Sequence, residues 1–222
     1  MKTRNLLGLL ALAVAAASLA SATTINCAGV PDVVGMTTAG NNCNVTGAPS
    51  IIFSAFSVSF TGGASGPVGI SSNPSLTNVT GNDINIGFQF PSPTNGAGDI
   101  LIFYTVTGGI DGIDLVLQAA PTTNGGSVTV VETACAVAFV GGTCGSVLGT
   151  INTSTVGTTV DSQSVSFATT QTVYIKKDIG FNGAGLSEFQ NSQLTPLPEP
   201  MTLSMLGAGL LGLGLFGRKL RK

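Results

Sequence analysis

The chain has 222 residues, 8% of them charged, 31 of them glycine and none of them histidine. That length holds one ordinary domain, and a surface so thin in charge but rich in Gly, Ser, Thr and Asn belongs to an extracellular β-protein rather than a cytosolic enzyme. Without histidine, Ser-His-Asp and Cys-His nucleophilic catalysis and histidine-based zinc hydrolysis are excluded. The stretch 23–197, with nine acidic residues against Lys176 and Lys177, has no basic face for a phosphate backbone, so no nucleic-acid partner is expected.

The first element is an export signal. Lys2 and Arg4 precede an apolar run from Leu6 to Leu19, and Ala20-Ser21-Ala22 supplies the small-x-small pattern that signal peptidase cuts. Residues 1–22 are expected to be removed by cleavage between Ala22 and Thr23. The run is too short for a lasting anchor, and Cys27 lies too far downstream for a lipoprotein. Four cysteines in an exported chain imply two disulfides. Spacing favours Cys27 with Cys43, stapling the N-terminal loop, and Cys135 with Cys144, closing a short loop around Gly141-Gly142. Absence of histidine and of CxxC spacing argues against a metal site, and no cofactor is implied.

From residue 50 to 180 the dominant period is two. Ile84, Ile86, Phe88 and Phe90 alternate with Asn85, Gly87 and Gln89, which describes a strand with one buried face. Ile113, Leu115 and Leu117 follow, alternating with Asp114 and Gln118 though Val116 breaks the polar face, then Val128 and Val130, Val165 and Phe167, and Val173 and Ile175, each alternating with polar residues. Ile51 to Phe60 and Ile100 to Val106 are apolar on both faces and read as central strands covered on both sides. Gly62-Gly63, Asn95-Gly96, Gly108-Gly109 and Asn124-Gly125-Gly126 read as the turns between them. No amphipathic helix of useful length is present. The expected fold is all-β: an antiparallel β-sandwich of about eight to ten strands, as a jelly roll or an Ig-like Greek key.

The carboxylates Asp83, Asp99, Asp111, Asp114, Glu132, Asp161, Asp178 and Glu188 show no spacing that singles out a hydrolytic pair. With no Trp and only Tyr104 and Tyr174, a sugar-stacking cleft is hard to furnish. Asp111-Gly112-Ile113-Asp114 reads as a Gly-rich turn rather than a calcium loop. Lys176-Lys177-Asp178 reads as a charge pair at the rim of a sheet, where a strand ends.

The C-terminus reads Leu197-Pro198-Glu199-Pro200, then a stretch from Met201 to Gly217 without charge, then Arg218-Lys219-Leu220-Arg221-Lys222. As a helix that stretch covers roughly 25 Å, enough to cross a thin hydrocarbon core, and the basic tail then stays cytoplasmic. Pro198 and Pro200 hold the strip before it extended and accessible. This ordered combination resembles the bacterial PEP-CTERM sorting signal. The resemblance covers only about the last 25 residues. It implies recognition of Pro198, Glu199 and Pro200 by an exosortase, a membrane protease that processes the chain near the motif. It further implies a membrane segment at Met201 to Gly217, a stop-transfer cluster at Arg218, Lys219, Arg221 and Lys222, and a Gram-negative host that makes exopolysaccharide.

The layout expected is therefore a signal peptide at 1–22, a β-sandwich ectodomain at 23–195 and a sorting segment with a single transmembrane helix at 196–222. The function expected is that of a non-catalytic structural or interaction protein, held first in the inner membrane and then at the cell surface or in the extracellular matrix. Its partners would be signal peptidase, an exosortase-like protease and the exopolysaccharide layer. A carbohydrate-binding β-sandwich module is the alternative.

Overall fold

The structure is a computed structural model, which describes residues 24–37, 42–90, 97–117, 122–156, 161–184 and 188–196. Strands occupy nearly every segment where apolar residues alternate with polar ones. They are β1 (Thr24–Asn26), β2 (Asn42–Asn44), β3 (Ile52–Gly62), β4 (Gly69–Ile70), β5 (Asn78–Thr80), β6 (Asp83–Gln89), β7 (Gly98–Leu117), β8 (Thr122–Cys135), β9 (Val147–Val156), β10 (Asp161–Ala184) and β11 (Glu188–Leu194). The sole helical element among the described residues is a 3-10 turn at Val33–Thr37.

The eleven strands share one hydrogen-bonded sheet that folds over on itself into a β-sandwich. One layer follows the order β1-β2-β3-β7-β10-β8-β9, and the other runs from β7 through β11 to β6, on which β4 and β5 pair. Pairing is antiparallel except between β1 and β2. Long β7 and β10 belong to both layers. The first part of β7 lies between β3 and the far part of β10; its last part lies between the start of β10 and β11.

The corner is made by Gly108-Gly109, at φ +125° and +89°, and a Cβ on Gly108 would lie 2.2 Å from the Ser50 carbonyl oxygen. Opposite it, β10 shifts register between Ser166 and Thr172. Strands that bend at such points and pass from one layer to the next close the corners of a sandwich. The Gly108-Gly109 pair is thus a bend inside a strand rather than the expected turn, and Asn124-Gly125-Gly126 likewise lies inside β8. Asn95-Gly96 lies outside the described residues.

Between the layers, Ile100, Ile102, Tyr104 and Val106 of β7, Val128 and Val130 of β8, and Val173, Ile175 and Ile179 of β10 face Ile113, Leu115 and Leu117 of β7, Phe189 of β11 and Ile84, Ile86 and Phe88 of β6. All are buried, and removal of this apolar surface from water drives the fold. The Tyr104 ring sits at the centre, its centroid 5.4 Å from that of Phe56 and 5.7 Å from that of Phe88.

Two strands differ from their expected environments. On β6, Asn85 and Gly87 are buried as well as the apolar set, because the segment after β4 lies over the second face; a Cβ on Gly87 would meet the Leu76 side chain at 2.6 Å. On β3, Phe53 and Phe56 both point inward because a bulge at Ala55, the one described non-glycine residue with positive φ (54°), shifts the alternation. Beyond it, Ser57 and Ser59 have no covering layer, so β3 is not the doubly covered strand its composition suggests. Val165 and Phe167 are only partly buried.

Both disulfides form as spacing suggests: Cys27 to Cys43 ties β1 to β2, and Cys135 to Cys144 closes the loop after β8.

Candidate functional site

The residues of the terminal signals lie outside the described residues: the cleavage pair Ala22 and Thr23, the motif Pro198, Glu199 and Pro200, the predicted membrane helix, and the cluster Arg218, Lys219, Arg221 and Lys222. Among the described residues no helix is long and apolar enough to cross a membrane. The described chain leads toward the tail by a defined route: Thr195 donates its backbone N–H to the Asn82 carbonyl at 2.9 Å, and exposed Pro196 follows.

Chemistry gathers instead in the middle of the sandwich. Alternation along β10 sends Val173, Ile175, Lys177, Ile179 and Phe181 inward, and alternation along β8 sends Val128, Val130, Glu132 and Ala134 inward. These strands are neighbours, with Lys177 directly across from Glu132. Lys177 is therefore not at a strand end or a sheet rim, as the sequence suggested. Its side chain is fully buried, and its Nζ donates to Glu132 Oε2 at 2.7 Å, in an ion pair whose partners are both 0% exposed. Its second acceptor is Oδ1 of Asn191, on β11 in the opposite layer.

The Asn191 amide is fixed from its other end. Its Nδ2 donates to the Tyr104 hydroxyl at 3.3 Å, and Gln193 Nε2 donates to the same oxygen, also at 3.3 Å. The rings of Phe88 and Phe189 complete the wall, their centroids 5.9 and 5.4 Å from Lys177 Nζ. Glu132 Oε1 and Gln193 Oε1 have no hydrogen-bond partner.

This environment disfavours charge. Desolvation pushes the Lys177 amine below its ordinary range, against the attraction of Glu132. Desolvation raises the Glu132 carboxyl, against the charge and hydrogen bond of Lys177. Burial, and then the neighbouring Glu132 charge, hold the Tyr104 phenol protonated far above its ordinary range. Both members of the ion pair are therefore driven toward their neutral forms, the direction low dielectric imposes.

A second feature lies on the outer face of the first layer. The Cys135–Cys144 loop folds back over β7 so that Phe139 meets Phe103 edge to face, centroids 5.4 Å apart. Phe103, Phe139 and Tyr174 line a depression of about 390 Å³, floored by Ala55 and Ser57 at the β3 bulge. Val137 and Val140 of the same loop and Val147 at the start of β9 are exposed, Val140 to 80%. The sequence offered Tyr174 only as an isolated aromatic; the disulfide loop supplies the second ring.

Of the other carboxylates, Asp114 stands near enough to Asp83 and to the Lys177–Glu132 pair to feel their charges, while Asp99, Asp161 and Glu188 are each held separately. Asp99 accepts from Thr61 Oγ1 at 3.1 Å, Asp161 from the Ser154 backbone N–H at 2.9 Å, and Glu188 from Ser71 Oγ at 3.4 Å. Asp111 and Asp114 lie within β7 with Gly112 and Ile113 buried between them, so that tetrapeptide is strand and not turn. Among the described residues no three Cys, Asp or Glu groups are placed to hold a metal ion.

No family model and no curated protein matches the chain. Among solved structures, TmCBM61 in complex with β-1,4-galactotriose aligns over 76% of this chain and 94% of its own, at 11% identity and a TM-score of 0.34.

Proposed function

We propose that the chain is an exported, non-catalytic structural or interaction protein of the cell envelope or extracellular matrix. Signal peptidase releases its N-terminus, the C-terminal helix holds it in the inner membrane, and an exosortase-like protease sorts it into an exopolysaccharide-rich surface layer. The observation that carries this reading is the order of the terminal segments: a basic n-region, an apolar run and Ala20-Ser21-Ala22 at one end, then Pro198-Glu199-Pro200, an uncharged stretch and a basic cluster at the other. Two disulfides support it, since such bonds persist in oxidising compartments outside the cytosol. The exposed valines around the Cys135–Cys144 loop suit a protein that contacts neighbours.

Deletion of residues 198–222 tests the sorting step. The truncated protein is expected to fold with both disulfides yet leave the surface fraction for the periplasm or medium. An unchanged distribution among membrane, surface and medium would overturn the role of the tail.

A carbohydrate-binding module is the second reading, and the depression lined by Phe103, Phe139 and Tyr174 favours it, because ring faces at a shallow site suit the apolar faces of sugars. Saturable binding of the purified ectodomain to a defined oligosaccharide, lost in Phe139→Ala, supports it; silence across a glycan array leaves the structural reading alone.

A further inference from the structure

A lysine, a glutamate and an asparagine together in an aromatic core are a costly way to fill space. A buried ion pair gains little or nothing over apolar side chains of the same volume, so its presence calls for a role other than stability. The arrangement has a chemical meaning. An amine driven toward its neutral form is a nucleophile, and Lys177 Nζ is in contact with Oδ1 of Asn191, one bond from the carbonyl carbon it could attack. The amide is held for that approach by Tyr104, which takes its Nδ2. Glu132 lies 2.7 Å from the amine with one oxygen unpartnered, positioned to accept a proton and pass it on.

We propose that Lys177 and Asn191 are joined covalently, by an amide between Nζ and Cγ that forms within the folded sandwich as ammonia leaves, with Glu132 as the catalytic residue.

The steps balance. Glu132 takes a proton from the Lys177 ammonium, leaving a neutral amine and a neutral carboxylic acid. The amine lone pair attacks Cγ of Asn191, and the carbonyl π electrons move to Oδ1, which the acid stabilises. Collapse of the tetrahedral carbon breaks the Cγ–Nδ2 bond as Glu132 delivers its proton to the departing nitrogen, and the attacking nitrogen passes its extra proton to the Glu132 carboxylate so regenerated, which ends as the neutral acid. A primary amide and an amine become a secondary amide and ammonia, without an oxidant, reductant or metal. Exclusion of water by Phe88 and Phe189 protects the tetrahedral centre from hydrolysis.

The bond would join β10 of one layer to β11 of the other, spanning 14 residues of sequence. It acts as a third staple beside the two disulfides, and unlike them it survives reduction. The chemistry is independent of what happens to the tail.

Intact mass decides the matter. The full chain is exported to an oxidising compartment, recovered, reduced, denatured and weighed, with its termini confirmed by peptide mapping. The expected mass is about 17 Da below that of the sequence, the loss of one ammonia. Trypsin should fail to cut after Lys177, giving a peptide that begins at Lys177 and carries the whole deficit as a link between Lys177 and Asn191. That deficit must survive mild alkali, which separates it from a succinimide at Asn182-Gly183. Glu132→Gln keeps the volume but cannot shuttle the proton, and is expected to show full mass with cleavage restored after Lys177. A parent chain with both disulfides formed but full mass, or a deficit that maps elsewhere, overturns the proposal whether or not the variant folds.

Discussion

Burial acts as well on a carboxylate at the margin of the central cluster, where the charge of Lys177 partly opposes it. Asp114, half-buried in the last part of β7, has its pKa raised by desolvation and then by the negative charge of Asp83. A carboxyl with a raised folded pKa binds its proton more tightly folded than unfolded. Its cost is therefore absent below the unfolded value, about 3.9, and grows as pH rises through the window between the unfolded and folded values. Asp114→Asn removes that cost. In denaturant titrations the variant and parent should share a midpoint near pH 3 and separate in favour of the variant by about pH 7; an equal gap at both would show that the charge is not its source. Residues of this kind were only partly legible beforehand. Period two places Lys177 in frame with Val173 and Ile175, and Glu132 in frame with Val128 and Val130, so the pattern itself sends both inward. What the pattern cannot give is the partner across the core. Without Asn191 opposite, an inward lysine reads as an error of alternation, and the surface preference of charged residues wins.

At the scale of elements, strand positions followed from alternation, while strand ends and bends did not. Glycine pairs between apolar runs carry the same local signal whether the chain reverses, as in a hairpin, or merely turns a corner. What separates these outcomes is pairing with a strand far away in sequence. At Gly108-Gly109 the long partner β10 continues on both sides, so β7 bends without ending. That makes Gly108 demanding in two ways, since its φ of +125° disfavours any side chain and the Ser50 carbonyl and Ile51 side chain fill the space a Cβ would need. Gly141, at φ +57° with nothing within 4 Å of a Cβ, meets only the first demand. Gly141→Ala should cost ~1 kcal/mol from backbone strain alone. Gly108→Ala should cost about 3 kcal/mol, because the corner itself must shift. Chemical denaturation of the two variants checks the ratio; comparable losses would mean that the corner yields easily. The bulge at Ala55 was illegible for a related reason, since no residue preference announces a positive φ at alanine.

For the whole molecule, the order of elements along the chain decides where load would enter. β11 is the last strand among the described residues, and it is held by backbone pairing to β6 and to the last part of β7. If the protein is tethered or drawn through its tail, force reaches β11 first, and a seven-residue strand held by hydrogen bonds and the packing of Phe189 can be pulled from between β6 and β7. An amide from Asn191 to Lys177 changes that path. Tension arriving at Asn191 crosses directly to the centre of β10, the strand flanked by both β7 and β8, and the residues between 177 and 191 never bear it. Single-molecule extension from the two ends of the ectodomain reads this as length. With 14 residues shielded, at about 3.4 Å each, and the Lys177–Asn191 link itself contributing roughly 10 Å in their place, the fully unfolded parent should be about 40 Å shorter than Glu132→Gln. The disulfides between Cys27 and Cys43 and between Cys135 and Cys144 are common to both chains and cancel in the comparison, and adding reductant should lengthen parent and variant equally while leaving the difference in place. Equal lengths after reduction would mean that β10 and β11 are joined by packing and hydrogen bonds only, and that the sandwich meets load at its C-terminal strand without a covalent stop.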